Sequence, residues 1–144
     1  MSDQPTQPTP PAVTPNGKKV LFIDDDTFLL DMYAVKFTKG GYEVKTADSP
    51  IAGLKLIQGG YAPDIILADI VMPGMDGLEF VASLKREKLA PNAAIIMLTN
   101  QGASDDISKA KKLGVDGYIV KATTIPSEVL EYVEKLSQGK MVSQ

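Results

Sequence analysis

The sequence predicts an α/β fold in which five strands of a parallel sheet alternate with five helices. Three observations carry this prediction. From Lys18 onward, short apolar runs alternate with segments of helical periodicity, an alternation that gives a parallel sheet with right-handed crossovers. The central run, Ile65-Ile66-Leu67-Ala68, leads straight into Asp69 and is then broken by Pro73, Gly74 and Gly77. A short apolar run bounded by turn residues reads as a strand buried on both faces. Finally, charged and hydroxyl residues follow most of these runs, at the carboxyl edge where open α/β sheets bind ligands.

The elements follow in order. Val20-Leu21-Phe22-Ile23 is the first strand. Asp26 is placed to cap a helix in which Leu30, Tyr33, Ala34 and Phe37 recur at helical spacing, and Gly40-Gly41 ends it. Tyr42, Val44 and Thr46 alternate with Glu43 and Lys45, the pattern of a half-buried strand near one edge. Ser49-Pro50 opens a second helix with a cap and a proline at its first position; Ile51, Leu54 and Ile57 give its apolar side and Gly59-Gly60 its end. The central strand spans about 64–69. A third helix starts near Asp76 or Gly77 with Phe80, Val81 and Leu84 inward. Ala94-Ile95-Ile96-Met97-Leu98 is the fourth strand, ending at Thr99. Ser104 caps a fourth helix with Ile107 and Ala110 inward and Gly114 past its end. Gly117-Tyr118-Ile119-Val120 is a short fifth strand ending at Lys121, and Pro126 begins a last helix with Val129, Leu130, Val133 and Leu136 inward.

Composition narrows the chemistry. The chain has 144 residues and a net charge of −3, enough for one ordinary domain and no global pull toward nucleic acid or anionic membrane. It contains no cysteine and no histidine. Disulfides, Cys/His zinc sites and Ser-His or Cys-His nucleophiles are therefore excluded. The cysteine count fits a cytosolic protein. No apolar run approaches the roughly 20 residues of a membrane span, and no secretory signal pattern is visible. Residues 1–17 are rich in Pro, Thr and Gln and read as a disordered tail, because they bury too little apolar surface to offset their ordering entropy.

The carboxyl ends of the strands carry the functional signal. Strand one ends in Asp24-Asp25-Asp26, strand three in Asp69, strand four in Thr99-Asn100 and strand five in Lys121. Strand order is not derivable from these patterns. If strands one, three, four and five are neighbours, one pocket gathers three carboxylates, a hydroxyl and an ammonium. Singly, each has an ordinary explanation: Asp26 as a helix cap, Thr99 as a strand residue, Lys121 as a surface lysine. Together they have a chemical logic. Clustered carboxylates repel one another unless a cation neutralises them, and all-oxygen ligands favour Mg²⁺ or Mn²⁺. A lysine and a hydroxyl facing the same point supply donors for phosphoryl oxygens. A carboxylate beside a divalent ion is a competent phosphoryl acceptor.

The sequence Leu21-Phe22-Ile23-Asp24-Asp25-Asp26, Asp69 followed by Met72-Pro73-Gly74-Met75-Asp76-Gly77, Leu98-Thr99, and Tyr118-Ile119-Val120-Lys121 resembles the receiver domain of two-component response regulators. The resemblance covers about residues 18–138 and leaves 139–144 as a short C-terminal tail. It implies a doubly wound, flavodoxin-like (βα)5 fold with strand order 2-1-3-4-5. It implies that Asp69 is the phosphoacceptor, and that Asp24 and Asp25 hold Mg²⁺ with Asp69 and the backbone carbonyl of Val71. Thr99 and Lys121 would contact the phosphoryl group. Tyr118 would be the aromatic switch position coupled to Thr99, and the face of helix four, strand five and helix five the signalling surface. Expected partners are a sensor histidine kinase or phosphotransfer protein and a downstream target protein, with no direct nucleic acid and no membrane. The expected state is a cytoplasmic stand-alone receiver, as a monomer or a phosphorylation-linked dimer, whose chemistry is limited to its own phosphorylation and dephosphorylation.

Three departures from the family pattern stand out. Ala122 follows Lys121 where most members have a cis proline. A cis bond to a non-proline residue costs about 2.5–4 kcal/mol, so the loop is either trans, with Lys121 aimed differently, or strained. The loop Ala122-Thr123-Thr124-Ile125-Pro126 is also about one residue longer than usual, and Asn100 after Thr99 is bulkier than the usual small residue. Other readings are a receiver reduced to a phosphorylation-independent binding scaffold, a Mg²⁺-dependent aspartyl-phosphate hydrolase, and a flavin or nucleotide module. The hydrolase would carry a second Asp two residues after the first, where this chain has Val71. A nucleotide module would not place Asp24-Asp25-Asp26 against a bare phosphate.

Overall fold

The computed structural model describes residues 17–99 and 104–142. The elements, in chain order, are β1 (Lys19–Ile23), α1 (Thr27–Lys39), β2 (Glu43–Ala47), α2 (Pro50–Gln58), β3 (Ile65–Asp69), α3 (Gly77–Arg86), β4 (Ala94–Thr99), α4 (Ser104–Lys112), β5 (Gly117–Val120), a 3-10 turn (Lys121–Thr123) and α5 (Pro126–Val142). The five strands form one parallel sheet in the order β2-β1-β3-β4-β5. The α/β expectation and the 2-1-3-4-5 order both hold. The last helix continues past residue 138 to Val142.

Residues on a strand alternate between the two faces of a sheet, and here both faces are covered. Leu21, Ile23, Ile66, Ala68, Ile95 and Met97 pack with Leu54 and Ile57 of α2, Phe80 and Leu84 of α3, and Ala110 of α4. Their strand neighbours Val20, Phe22, Ile65, Leu67, Ile96 and Leu98 pack with Tyr33 and Phe37 of α1 and with Val129 and Val133 of α5. Phe22 anchors the second layer: it stacks on Tyr33 at 4.8 Å between ring centroids and meets Phe37 edge-on at 4.9 Å. Each fully buried side chain of this size contributes about 1.5–3 kcal/mol.

Local chemistry sets the helix starts. Asp26 caps α1 by accepting from the Leu29 N–H at 3.1 Å, and Ser49 caps α2 by accepting from the Ala52 N–H at 3.1 Å. Asp76 and Glu79 form a reciprocal capping box at the start of α3. At the amino edge of the sheet, the Asp64 carboxylate accepts from the Lys19 N–H and the Asp116 carboxylate from the Ile95 N–H, both at 2.8 Å. These contacts hold the strand starts in register, and so the strand ends as well.

Three expectations from periodicity are corrected. Ile51 is 52% exposed; α2 instead buries Pro50, Gly53, Leu54 and Ile57. Thr46 is exposed, because β2 is an edge strand, while Val44 is half-buried as the alternation predicts. Ala34 and Ile107 are half-buried rather than core. The capping role read for Ser104 and the crowding read for Asn100 lie outside the described residues and side chains.

Candidate functional site

The sheet order brings the ends of β1, β3, β4 and β5 together along one edge, as the carboxylate, hydroxyl and ammonium pattern requires. Asp24 follows β1 and is 1% exposed; Asp69 ends β3 and is 2% exposed. Asp24 is fixed locally by accepting from the Asp26 N–H at 2.9 Å. Asp69 sits over a sharp turn in which the Gly77 N–H donates to the Ile70 carbonyl at 2.8 Å. A Cβ at Gly77 would collide with the Asp69 carbonyl oxygen, so the start of α3 reaches the end of β3 only through glycine. Lys121, just past β5, donates to Asp24 at 2.8 Å and to Asp69 at 3.1 Å, clasping both buried carboxylates. Asp25 is exposed at the rim. Oxygens of Asp24, Asp25 and Asp69 all lie within 4.8 Å of one another. Thr99 is 4% exposed, and its hydroxyl has no hydrogen-bond partner among the described residues.

Three carboxylates thus face one ammonium. Burial raises the Asp69 carboxyl above its ordinary value of 3.8; Lys121 opposes this and Asp24 adds to it. Burial alone would lower the Lys121 ammonium, but its hydrogen bond to Asp24 and the charge of Asp69 outweigh that and hold it above 10.5. The two directions agree, because the lysine gains two carboxylates while Asp69 shares one lysine with Asp24. Tyr33, beneath the site, has its phenol pushed up to about 12, mainly by burial.

The donor set is chemically suited to a divalent cation, which Asp24, Asp25 and Asp69 could hold: three carboxylates, no sulfur, no imidazole, and excess negative charge at a water-accessible rim. The unpartnered Thr99 hydroxyl adds a second demand. A buried polar atom without a partner costs about 1–3 kcal/mol, and an oxyanion placed between Thr99 and Lys121 would satisfy it.

The other sequence candidates are placed as follows. The Val71 side chain is 63% exposed, and its N–H points to Asp69 Oδ1 at 3.4 Å, too long for a strong bond. Tyr118 lies outside the carboxylate cluster, half-buried on β5, with Lys111 Nζ 5.8 Å from its ring centroid. No peptide among the described residues is cis, and Lys121 nevertheless reaches both carboxylates. Sequence reasoning missed two features. One is the open apolar stripe of Phe28, Met32 and Val35 on α1; its spacing is helical, but α1 already had an inward face. The other is the Thr124 hydroxyl, which donates to the Val120 carbonyl at 2.7 Å beside Lys121.

Comparison with known proteins gives a consistent picture. A family model described as the response regulator receiver domain matches residues 20–134. The chain is 36% identical over 124 residues to the chemotaxis protein CheY of Thermotoga maritima, covering 85% of this chain and 99% of that protein. It is 36% identical over 105 residues to the phosphate regulon transcriptional regulatory protein PhoB of Pseudomonas aeruginosa, of which it spans 45%. Among solved structures, Vibrio cholerae CheY4 matches with a TM-score of 0.76 at 29% identity, covering 83% of this chain and 98% of that one. A CheY-like receiver domain protein from Methanospirillum hungatei matches with a TM-score of 0.76 at 30% identity, covering 86% and 97%.

Proposed function

The chain belongs to the response regulator receiver family, and from that premise we propose that Asp69 is its phosphoacceptor. In this reading an Asp69 carboxylate oxygen attacks the phosphorus of a phosphodonor, the bond from phosphorus to the donor breaks, and an acyl phosphate forms. Water later attacks the same phosphorus, releasing inorganic phosphate and restoring the carboxylate. Lys121 leaves its place between the carboxylates to pair with a phosphoryl oxygen, and the Thr99 hydroxyl donates to another. Asp24, Asp25 and Asp69, with the Val71 carbonyl, hold Mg²⁺ or Mn²⁺. When bound, that ion neutralises the carboxylates and the charge developing on the phosphoryl oxygens. The observation that carries the proposal is the buried Asp24–Asp69 pair clasped by Lys121 beside an unpartnered Thr99 hydroxyl. The functional unit is residues 18–138, which frame the matched segment.

Incubation with acetyl phosphate and Mg²⁺, followed by intact-mass measurement, tests it. One phosphoryl group per chain is expected, and none in excess EDTA. No adduct, or an equal adduct in EDTA, contradicts the proposal. Metal binding has its own signature. At a hundredfold excess over Kd, Mg²⁺ is expected to stabilise the fold by about 2.7 kcal/mol, seen as a higher melting midpoint. An equal rise in Asp25→Ala would place the ion elsewhere.

The phosphodonor in this reading is a sensor histidine kinase or phosphotransfer protein. A cytosolic location fits a chain without cysteine. Output runs through Thr99 and Tyr118 to a target protein on the face of α4, β5 and α5, where Lys109, Lys112, Glu128 and Glu131 are exposed. Thr99 is in register with Val120, and Met97 with Tyr118. Movement of Thr99 toward a phosphoryl group opens space beside β5 for the Tyr118 ring, biasing a two-state element. Beryllofluoride, a phosphoryl mimic, is expected to shift NMR resonances of that face in wild type but not in Thr99→Ala; identical shifts in both exclude this route.

A further inference from the structure

Lys121 has to be aimed by something. Its side chain is long and flexible, so its reach to Asp24 and Asp69 depends on where its backbone is held. On one side the β4–β5 ladder fixes it, with Thr99 opposite Val120. On the other side the chain turns at once into the 3-10 segment Lys121–Thr123, whose start has no side-chain cap. The turn is closed by Thr124. Its hydroxyl donates to the Val120 carbonyl at 2.7 Å, and its N–H donates to the Lys121 carbonyl at 3.3 Å. Thr124 itself is extended, with φ −133 and ψ 126, and half-buried, so a β-branched residue suits the position. The neighbouring Thr123 hydroxyl is 3.4 Å from the same carbonyl and exposed, beyond the length of a useful O–H···O bond.

We propose that Thr124 is a positioning residue for Lys121: its hydroxyl, clamped to the Val120 carbonyl, sets the turn that delivers the lysine ammonium to Asp24 and Asp69. The clamp does the work in a loop where Ala122 gives the backbone no ring to stiffen it. The inference rests on the proposed role of Asp69 and Lys121 in phosphoryl transfer. Displacing a group that contacts the reacting phosphoryl by about 1 Å costs up to roughly 100-fold in rate.

The test measures the rate of phosphoryl uptake from acetyl phosphate at saturating Mg²⁺, together with the melting midpoint, for the full chain. Thr124→Val keeps the shape and removes the donor, and a rate loss of roughly 10- to 100-fold is expected. Thr124→Ser keeps the donor and is expected to stay within about threefold of wild type. Thr123→Val is expected to match wild type. In a Lys121→Ala background, Thr124→Val is expected to cost nothing further, because the two residues act as one unit. A wild-type rate in Thr124→Val overturns the inference, as does a loss of the same size in Thr124→Ser. An equal further loss in the Lys121→Ala background also overturns it, since the hydroxyl would then act on the fold and not through the lysine. Failure of the wild-type chain itself to take up phosphate is a different result: it overturns the reading of Asp69, and this inference with it.

Discussion

Asp69→Asn is expected to take up no phosphoryl group and, in metal-free buffer at neutral pH, to melt at a higher temperature than wild type. The two effects share one cause. Burial and the charge of Asp24 raise the Asp69 carboxyl above 3.8, so the folded chain holds that proton more tightly than the unfolded chain does. The sign follows from proton linkage. Between the unfolded and folded values the native state binds more protons, so stability falls as pH rises through that window. Above it the ionised carboxylate is a fixed cost, only partly offset by a lysine that it shares with Asp24. Asparagine removes the charge, keeps an oxygen to accept from Lys121 or the Val71 N–H, and leaves the Lys121–Asp24 pair in place. The stability gap between variant and wild type is expected to widen as pH rises from about the ordinary carboxylate range and to close below it. Saturating Mg²⁺ is expected to narrow the gap, since only wild type offers the full carboxylate set. Melting curves across pH check this; a variant less stable than wild type at neutral pH would show that the lysine pair outweighs the repulsion.

Gly77→Ala is the second large effect. The added Cβ meets the Asp69 backbone carbonyl rather than the end of a flexible side chain, so the junction between β3 and α3 has to move. The expected cost is about 3 kcal/mol, the upper end of overpacking penalties, or roughly 10 °C in midpoint for a chain of this size. The same movement disturbs the contact between Asp69 and Lys121, so phosphoryl uptake is expected to slow in the fraction that remains folded. Gly74 supplies the comparison. It has a φ of +80 but open space around its Cβ position, so Gly74→Ala pays only the left-handed backbone cost of about 1–2 kcal/mol. Equal losses at the two positions would contradict the steric account.

The strands and most helix starts were legible because their causes are local. Strands β1, β3 and β4 are buried on both faces and read as unbroken apolar runs, and Asp26, Ser49 and Asp76 sit where a cap must sit. What periodicity could not show was which apolar residues a helix would leave in solvent. On α2 the helix turns Gly53 toward Ile23 and leaves Ile51 in solvent. On α1, spacing named the buried side, Leu30, Tyr33 and Phe37, but not that a second stripe of Phe28, Met32 and Val35 would stay open. Both outcomes depend on the sheet beneath, not on spacing along the chain. The site was legible for a different reason. Its chemistry sits at strand ends, so locating the strands located Asp24, Asp69, Thr99 and Lys121. The order that makes those ends neighbours came from the family resemblance alone. The Thr124 clamp left no trace in the sequence, because it depends on a turn with no periodic signal.

In the proposed mechanism one carboxylate, Asp69, accepts the phosphoryl group while Asp24 and Asp25 serve the metal. Borohydride reduction of the phosphorylated chain distinguishes these carboxylates: one hydride adds to the acyl carbon of an aspartyl phosphate and phosphate leaves, then a second hydride and a proton from water reduce the resulting aldehyde to homoserine. Peptide mass analysis then reads the position. Homoserine is expected at residue 69 alone, formed only after treatment with acetyl phosphate and Mg²⁺. Homoserine at Asp24 or Asp25, or phosphate uptake that leaves residue 69 an unreduced aspartate, would contradict it.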